Sequence, residues 1–389
     1  MARVNRMTSP YRVAEFFAGI GLVRLALDQC GFETVFANDI DEQKLEMYRA
    51  NFPIDEFLLG DIHQISADAI PDCDLFTASF PCNDLSIAGA MAGLSGEQSS
   101  AFWGLVRLLK EKAVAGSLPK VVLLENVPGF LMANEGRDFE AALLALNALG
   151  YVCDAIIVDA VRFVPQSRAR LFVIAQLGIE AEIPFGVGPS DVRSPQLLKF
   201  IHGTPHIAWK IRKLPPLPPA GPRLPSIVES LPPDDPAWWS EERAAYFMNQ
   251  LSERHAKIAA EMISGADYTY ATAFRRVRHG RSMAELRTDG IAGCLRTPRG
   301  GSGRQILFEA GRGERRVRLL TARECARLQG VPDDYRIEVR LNQALFGFGD
   351  AVCVPVVAWI GENYLKPACE TLRGSIRTVR TRRITVAKR

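Results

Sequence analysis

Several common features are missing from this chain, and each absence removes a class of protein. No stretch reaches the roughly 18 uncharged apolar residues that a membrane span needs. The apolar segment at 13–27 is interrupted by Glu15 and Arg24, with no small-residue cleavage site after it. It reads as a folded element and not as a secretion signal. None of the 8 cysteines sits in a C-x-x-C pair, and none of the 5 histidines lies in a metal-ligand spacing. Neither a zinc site nor a dithiol redox motif is therefore signalled. Cysteines scattered along a long chain read as reduced thiols of a cytoplasmic protein, each by default a small buried hydrophobe. Internal repeats are absent as well, which argues against a solenoid.

The chain also lacks an excess of one charge, since 47 Lys+Arg against 44 Asp+Glu leave +3. That total conceals a pattern. Residues 274–318 hold twelve arginines and four acids, a local +8, and residues 371–389 hold seven basic groups and no acid. The remainder stands at −12. An acidic body with two basic regions suits a protein that meets a polyanion through a limited surface.

At 389 residues and 48% hydrophobic, the chain is long enough for two domains or one large one and can bury a sizeable core. Over the first 180 residues short apolar runs alternate with amphipathic stretches, which predicts βαβ units and a parallel sheet. Strands are expected at 12–17, 34–38, 75–79, 121–125, 155–161 and 171–175, with helices such as 22–30 and 139–149 between them. The texture then changes: residues 214–236 contain nine prolines in 23, which excludes regular helix or a central strand. A helix is expected at 240–263, then an Arg/Gly-rich region. The capping-box pattern Thr321-Ala322-Arg323-Glu324 opens a helix ending near Gly330. The expected organisation is a catalytic and cofactor-binding part at 1–180, a less regular insertion at 181–317, a return to the first domain at 318–365 and a basic tail at 366–389.

Phe17-Ala18-Gly19-Ile20-Gly21 follows the first strand and opens a helix, and Asp39 ends the next strand twenty residues after Gly19. Such a turn lets backbone N–H groups approach a ligand, and an acid at that distance can accept hydrogen bonds from ribose hydroxyls. Arg24 occupies the third fingerprint position in place of Gly or Ala. That weakens a nicotinamide reading and leaves other adenosine-containing ligands open. Pro81-Cys82 follows the strand at 75–79, and Glu125-Asn126-Val127 ends the strand at 121–125. The carboxyl ends of parallel strands share one crevice, so a thiol and a carboxyl meet at the edge that carries the glycine turn. A cysteine there acts as a nucleophile if cations favour its thiolate, and Arg168 and Arg170 supply two on one side of an extended segment.

These segments, with Gln166-Ser167-Arg168-Ala169-Arg170, Arg318 to Gly330 and Gly347-Phe348-Gly349-Asp350-Ala351-Val352, resemble in order and spacing the motifs of DNA (cytosine-5) methyltransferases of the bacterial restriction-modification type. The resemblance implies a Rossmann-like α/β domain with a mostly parallel sheet that binds S-adenosylmethionine, plus a smaller, irregular target-recognition domain. It implies that the Cys82 thiolate adds to cytosine C6, that Glu125 holds or protonates N3, and that Arg170 with Arg168 contacts O2 and a phosphate while favouring the thiolate. Phe17, Ala18, Gly19, Ile20, Gly21, Asp39, Ile40, Asp61, Ile62, Pro81, Asp350 and Ala351 would line the cofactor site. Asp39 would sit on the ribose and Asp61 near the adenine. The implied partner is double-stranded DNA, with a cognate restriction endonuclease acting separately, and the enzyme is expected to be a monomer.

The same resemblance assigns target recognition to the insertion. Arg296, Arg299, Gly300, Gly301 and Arg304, with Ser86 from the loop after Cys82, are the expected DNA contacts. Four departures from the family pattern stand out. Leu22 replaces a second glycine, Asn83 replaces a glutamine, Asp350 replaces an asparagine, and Cys294-Leu295 stands in place of a Thr-Leu pair. Two alternatives remain open at this point: the same chemistry on structured RNA, and a catalytically silent DNA-binding protein. Trp238-Trp239 is expected to anchor the helix that follows it.

Overall fold

Short apolar runs become the central strands, as burial on both faces of a parallel sheet requires. β5 (Val121–Asn126) is buried at every position. The computed structural model describes residues 10–81, 100–183, 186–278, 280–297 and 303–372. Cys82, Asn83, Ser86, Arg299, Gly300, Gly301 and the tail from 373 lie outside the described residues.

β5 belongs to a seven-stranded sheet in the order β3-β2-β1-β4-β5-β7-β6. Its other members are β1 (Tyr11–Phe16), β2 (Phe32–Asp39), β3 (Phe57–Leu59), β4 (Leu75–Ala78), β6 (Tyr151–Asp159) and β7 (Ala169–Leu177). The first five strands of that order pair in parallel, and β7 runs antiparallel to both β5 and β6. The reversal matters for the site. It brings the start of β7 to the edge where β1, β2, β4 and β5 end, with Asn126 opposite Leu171 and Glu125 opposite Phe172.

Two hydrophobic cores flank the sheet. One gathers α1 (Leu22–Asp28), α8 (Ala322–Leu328), α9 (Leu341–Asp350) and α10 (Val354–Ile360). The other holds α3 (Ser100–Val114), α4 (Arg137–Asn147) and α5 (Pro195–Gly203). By length and composition the run Leu341–Leu372 could cross a membrane. It is broken at 351–353, and its second half packs on α1, where Cys30 Sγ lies 3.4 Å from the Ala358 carbonyl. It is a core element. Ala368, Cys369 and Leu372 are buried there, so the packed chain continues past the expected boundary at 365.

The insertion is more regular than its composition suggests. Beyond 237 it forms a four-stranded antiparallel sheet, β11-β10-β8-β9, built from β8 (Thr269–Arg278), β9 (Arg281–Arg287), β10 (Ile306–Gly311) and β11 (Glu314–Leu319). The expected single helix at 240–263 is two, α6 (Glu241–Met248) and α7 (Glu253–Ile263). Each is capped by a serine side chain, Ser240 and Ser252. Ser252 accepts from the His255 backbone N–H and so starts a new helix where one long one was expected. These elements bury a core of their own around Phe247 and Phe308. Residues 181–236 instead pack on the large sheet: Trp209 and Ile201 join one of its cores, Leu224 and Ile227 the other. The separate domain therefore begins some fifty residues later than expected. Trp239 is fixed by its backbone N–H, which donates to the Val317 carbonyl at 2.9 Å, just before α6.

The capping box that opens α8 is formed as expected, and Glu324 does more than cap. It is fully buried and receives Arg318 Nη1 and Nη2 at 2.6 and 2.5 Å, the Thr321 N–H and the Glu229 N–H. Removing one partner strands the other charge in the core. Arg318→Met is expected to destabilise the fold by about 3–5 kcal/mol, read from urea unfolding. A change below about 1 kcal/mol would show the pair to be dispensable.

Glu15, near the end of β1, is 1% exposed, and burial pushes its carboxyl up to about 8 against the pull of Arg24. The folded chain therefore holds a proton that the unfolded chain releases above about 4.5. Its contribution must fall as pH rises from there to about 8. Glu15→Gln is expected to flatten the decline in unfolding free energy between pH 5 and 8. A variant with the wild-type slope would refute the assignment.

Candidate active site

The glycine turn leaves β1 through an uncommon backbone. Phe17 adopts φ 57°, a left-handed conformation that costs a bulky residue energy, and Gly19 and Gly21 follow at 57° and 81°. A Cβ on Gly21 would stand 2.5 Å from the Phe52 ring, so glycine is required there twice over. The turn is held from the neighbouring strand: Asp39 Oδ2 accepts the Gly19 N–H at 2.8 Å, and Ala18 N–H donates to the Asn38 carbonyl. Asp39 Oδ1 takes the Asp41 N–H at 2.9 Å. Each oxygen retains a lone pair for a further donor. Beside Asp39, Ile40 is 69% exposed and offers a bare apolar face. Asp61 caps the short helical turn Ile62–Gln64 after β3 through the His63 N–H, and Ile62 is buried. Leu22, at the position of the departed glycine, points into the core.

At the same edge, β4 leads into Phe80-Pro81. The Asn126 side-chain amide donates to the Phe80 carbonyl at 3.3 Å, joining that segment to the end of β5. Glu125, 8% exposed, pairs with Arg170 through Oε1 and Nε at 3.0 Å. The pair exists because β7 is reversed: the first residues of β7 meet the last residues of β5. Cys82 follows Pro81 directly and lies outside the described residues.

Arg168 is placed differently from Arg170. It is 2% exposed, and its guanidinium donates to the carbonyls of Leu295 (2.8 Å), Gly349 (3.1 Å) and Ala351 (2.6 Å). Burial, with Arg170 beside it, draws it below the usual guanidinium range. Its two terminal nitrogens are engaged by the protein, while Nε is buried without a partner, which differs from the direct substrate contact expected of it. Gln166, fully buried, works alongside: Nε2 donates to the Leu328 carbonyl and Oε1 accepts the Leu295 N–H. Nothing in the sequence distinguished these two buried groups from an exposed one.

Two further residues take on a role only in the structure: Cys294, noted in the sequence as a departure from the family pattern, and Lys44, which the sequence did not single out. Cys294 lies 3.3 Å from Arg168 Nη1. Burial alone would raise its thiol, but Arg168 and Arg170 outweigh it and hold the thiol below its ordinary range. Lys44, on α2 (Glu42–Arg49), pairs with Asp350 Oδ2 at 2.9 Å. Arg296 packs against Gly349, where an added Cβ would stand 2.7 Å from its carbonyl carbon. Arg304 Nη2 donates to Asn342 Oδ1 at 2.5 Å, at the start of α9. Ala351 contributes its carbonyl to Arg168 and to Gln329. Among the described residues, no group of three or more His, Cys, Asp or Glu is gathered as a metal site. His206 Nε2 lies 2.6 Å from Glu140 Oε1.

Known proteins match this chain over most of its length. The family of C-5 cytosine-specific DNA methylases matches residues 11–366. The type II methyltransferase M.HhaI of Haemophilus parahaemolyticus is 30% identical over 365 residues, covering 92% of this chain and 95% of that protein. M.NgoBI of Neisseria gonorrhoeae is 28% identical over 360 residues, covering 89% and 90%. In fold, the chain is similar to the Dnmt2 methyltransferase of S. pombe, with a TM-score of 0.60 at 19% identity over 92% of this chain and 98% of that one. A putative DNA modification methyltransferase encoded within an E. coli prophage gives a TM-score of 0.53, also at 19% identity, over 90% and 97%. With the glycine turn, the Glu125–Arg170 pair and Pro81 on one sheet edge, the chain belongs to the C-5 cytosine-specific DNA methylases and is a DNA cytosine-5 methyltransferase.

Proposed function

We propose that this enzyme methylates C5 of a cytosine flipped out of a specific duplex DNA sequence, through a covalent adduct between Cys82 and C6. The observation that carries the reading is the Glu125–Arg170 pair on the edge that presents Pro81. Cytosine C5 is too weak a nucleophile to take a methyl group unaided. Addition of the Cys82 thiolate to C6 makes C5 an enamine-like carbon. Glu125 holds N3 and carries the proton that favours this addition, and Arg170 keeps the carboxyl oriented. Loss of the C5 proton to a base then expels the thiolate and restores the ring. A base within a duplex cannot present C6 to a thiol in a crevice, which is the reason for flipping.

The residues at the glycine turn suit S-adenosylmethionine. Asp39 retains acceptor capacity for ribose hydroxyls, Ile40 offers an apolar face for the adenine, and the Gly19 side of the turn is open, with Lys44 Cδ 3.9 Å from where a Cβ would stand. When bound, S-adenosylmethionine supplies the electrophilic methyl group. Arg168 acts in this reading as a positioning residue, fixing the segment that bears Arg170 against the returning insertion. The Arg/Gly segment containing Arg296, Arg299, Gly300, Gly301 and Arg304, with Ser86, reads the duplex. The enzyme works as a cytoplasmic monomer and protects DNA from a separate restriction endonuclease.

Bisulfite sequencing of DNA from cells expressing the protein is expected to reveal one methylated sequence. A duplex carrying 5-fluorocytosine at that position is then expected to trap a stable adduct, because fluorine cannot leave as the proton does. Cys82→Ala should abolish both trapping and methyl transfer, and Glu125→Gln should slow transfer by about 10²–10⁴-fold with DNA still bound. Methyl transfer confined to RNA, or transfer that survives Cys82→Ala, would overturn the mechanism.

A further inference from the structure

The order of strands along the sheet edge maps the cofactor by its parts. In the reading above, on which this inference rests, the adenine lies toward Asp61 after β3 and the ribose toward Asp39 at the end of β2. The methyl group must face the β4–β5 side, where Pro81 and Glu125 stand. The sulfonium lies between ribose and methyl acceptor, so the amino-acid chain leaves it over the turn after β1. That turn is where the Lys44–Asp350 pair is found. The Lys44 side chain crosses the Gly19 side of the turn, its Cδ 3.9 Å from the position of an added Cβ. Its ammonium meets Asp350 Oδ2 at 2.9 Å. The lysine comes from α2 and the aspartate from the last residue of α9, two elements about 300 residues apart in sequence that converge at this point.

We propose that the Lys44–Asp350 pair is the recognition element for the amino-acid end of the cofactor, with the Lys44 ammonium facing its α-carboxylate and the Asp350 carboxylate facing its α-ammonium. The pair is the complement of a zwitterion, one charge for each. It also accounts for the departure at Asp350. A carboxylate offers acceptors and no donor, so of the two side chains Lys44 is the one that can donate to the cofactor's carboxylate. The two side chains differ in exposure, 19% for Lys44 and 47% for Asp350, so the aspartate is open to a second cation while it holds the first. Burial opposes the charge on Lys44, but Asp350 and then Asp39 outweigh it and hold the ammonium above its ordinary range. The charge is therefore fixed before any ligand arrives.

Two thioethers separate this role from all others. S-adenosylhomocysteine carries the amino-acid end, and 5′-methylthioadenosine carries the same nucleoside without it. Calorimetric titration of the full chain with each is the test. Lys44→Met is expected to weaken S-adenosylhomocysteine by about 10–100-fold, the worth of one charge-assisted hydrogen bond, and to leave methylthioadenosine within about twofold. Asp350→Asn should discriminate in the same direction by a smaller factor. Unchanged affinity for both ligands in Lys44→Met would overturn the proposal. Equal loss for both would also overturn it, since the lysine would then serve the nucleoside or the fold. A wild-type protein that binds neither thioether would remove the cofactor reading itself, and this inference with it.

Discussion

A guanidinium removed from water must be surrounded by acceptors, and the rest of this site depends on how Arg168 meets that demand. Three of its acceptors are backbone carbonyls, from Leu295 and from Gly349 and Ala351. The first belongs to the insertion, between β9 and β10, and the other two to the last turn of α9 and the break that follows it. Carbonyls that ring a buried cation cannot drift apart without leaving the charge bare, at a cost of several kcal/mol. One side chain thus fixes three segments against one another. Gln166 and Gln329 repeat the device without charge, joining Leu295, Leu328 and Phe348. Because residues two apart in an extended segment face the same way, the clamp on Arg168 also sets the direction of Arg170 toward Glu125.

That arrangement explains why two arginines with the same spacing signal ended in different places. Sequence spacing puts 168 and 170 on one face but says nothing of what covers that face. Arg168 lies under the insertion and the last motif, while Arg170 lies at the open edge beside a carboxylate. Burial decided the difference, and burial here is set by segments more than 120 residues away. The same limit hid Lys44. On α2 it is one charged residue on an amphipathic helix, and only the approach of α9 gives it a partner.

The strands of the large sheet were legible because their physics is local. A parallel strand buried on both faces reads as a continuous apolar run, and six of the seven were expected within a few residues of where they form. β3 was missed: it is three residues long and half exposed, too short for periodicity to register. The small sheet was missed for another reason. β8, β9 and β11 are rich in arginine, and along β11 buried Val317 and Arg318 adjoin exposed Glu314. Arginine buries its stem while its head finds an acid, so composition alone marks such strands as solvated loop. The proline-rich stretch was correctly denied regular structure, yet it is not a linker: Leu217, Leu224 and Ile227 pin it to the core of the large domain.

The charge pattern takes on a sharper meaning in that light. Part of the local +8 in residues 274–318 is spent on acids outside that segment, on Glu324 by Arg318 and on Glu241 by Arg315, while Arg316 pairs with Glu309 and Glu314, which the count already includes. Arginines committed in this way build the second domain; they are poor candidates for phosphate contacts, since each would have to leave an acid to make one. The excess available to a polyanion is therefore smaller than the count suggests. Beside the large domain, Arg296 abuts the last motif and Arg304 reaches α9. Basic composition marks the insertion as a whole, and pairing removes Arg315 and Arg318 from the groups that can turn toward a polyanion without leaving an acid.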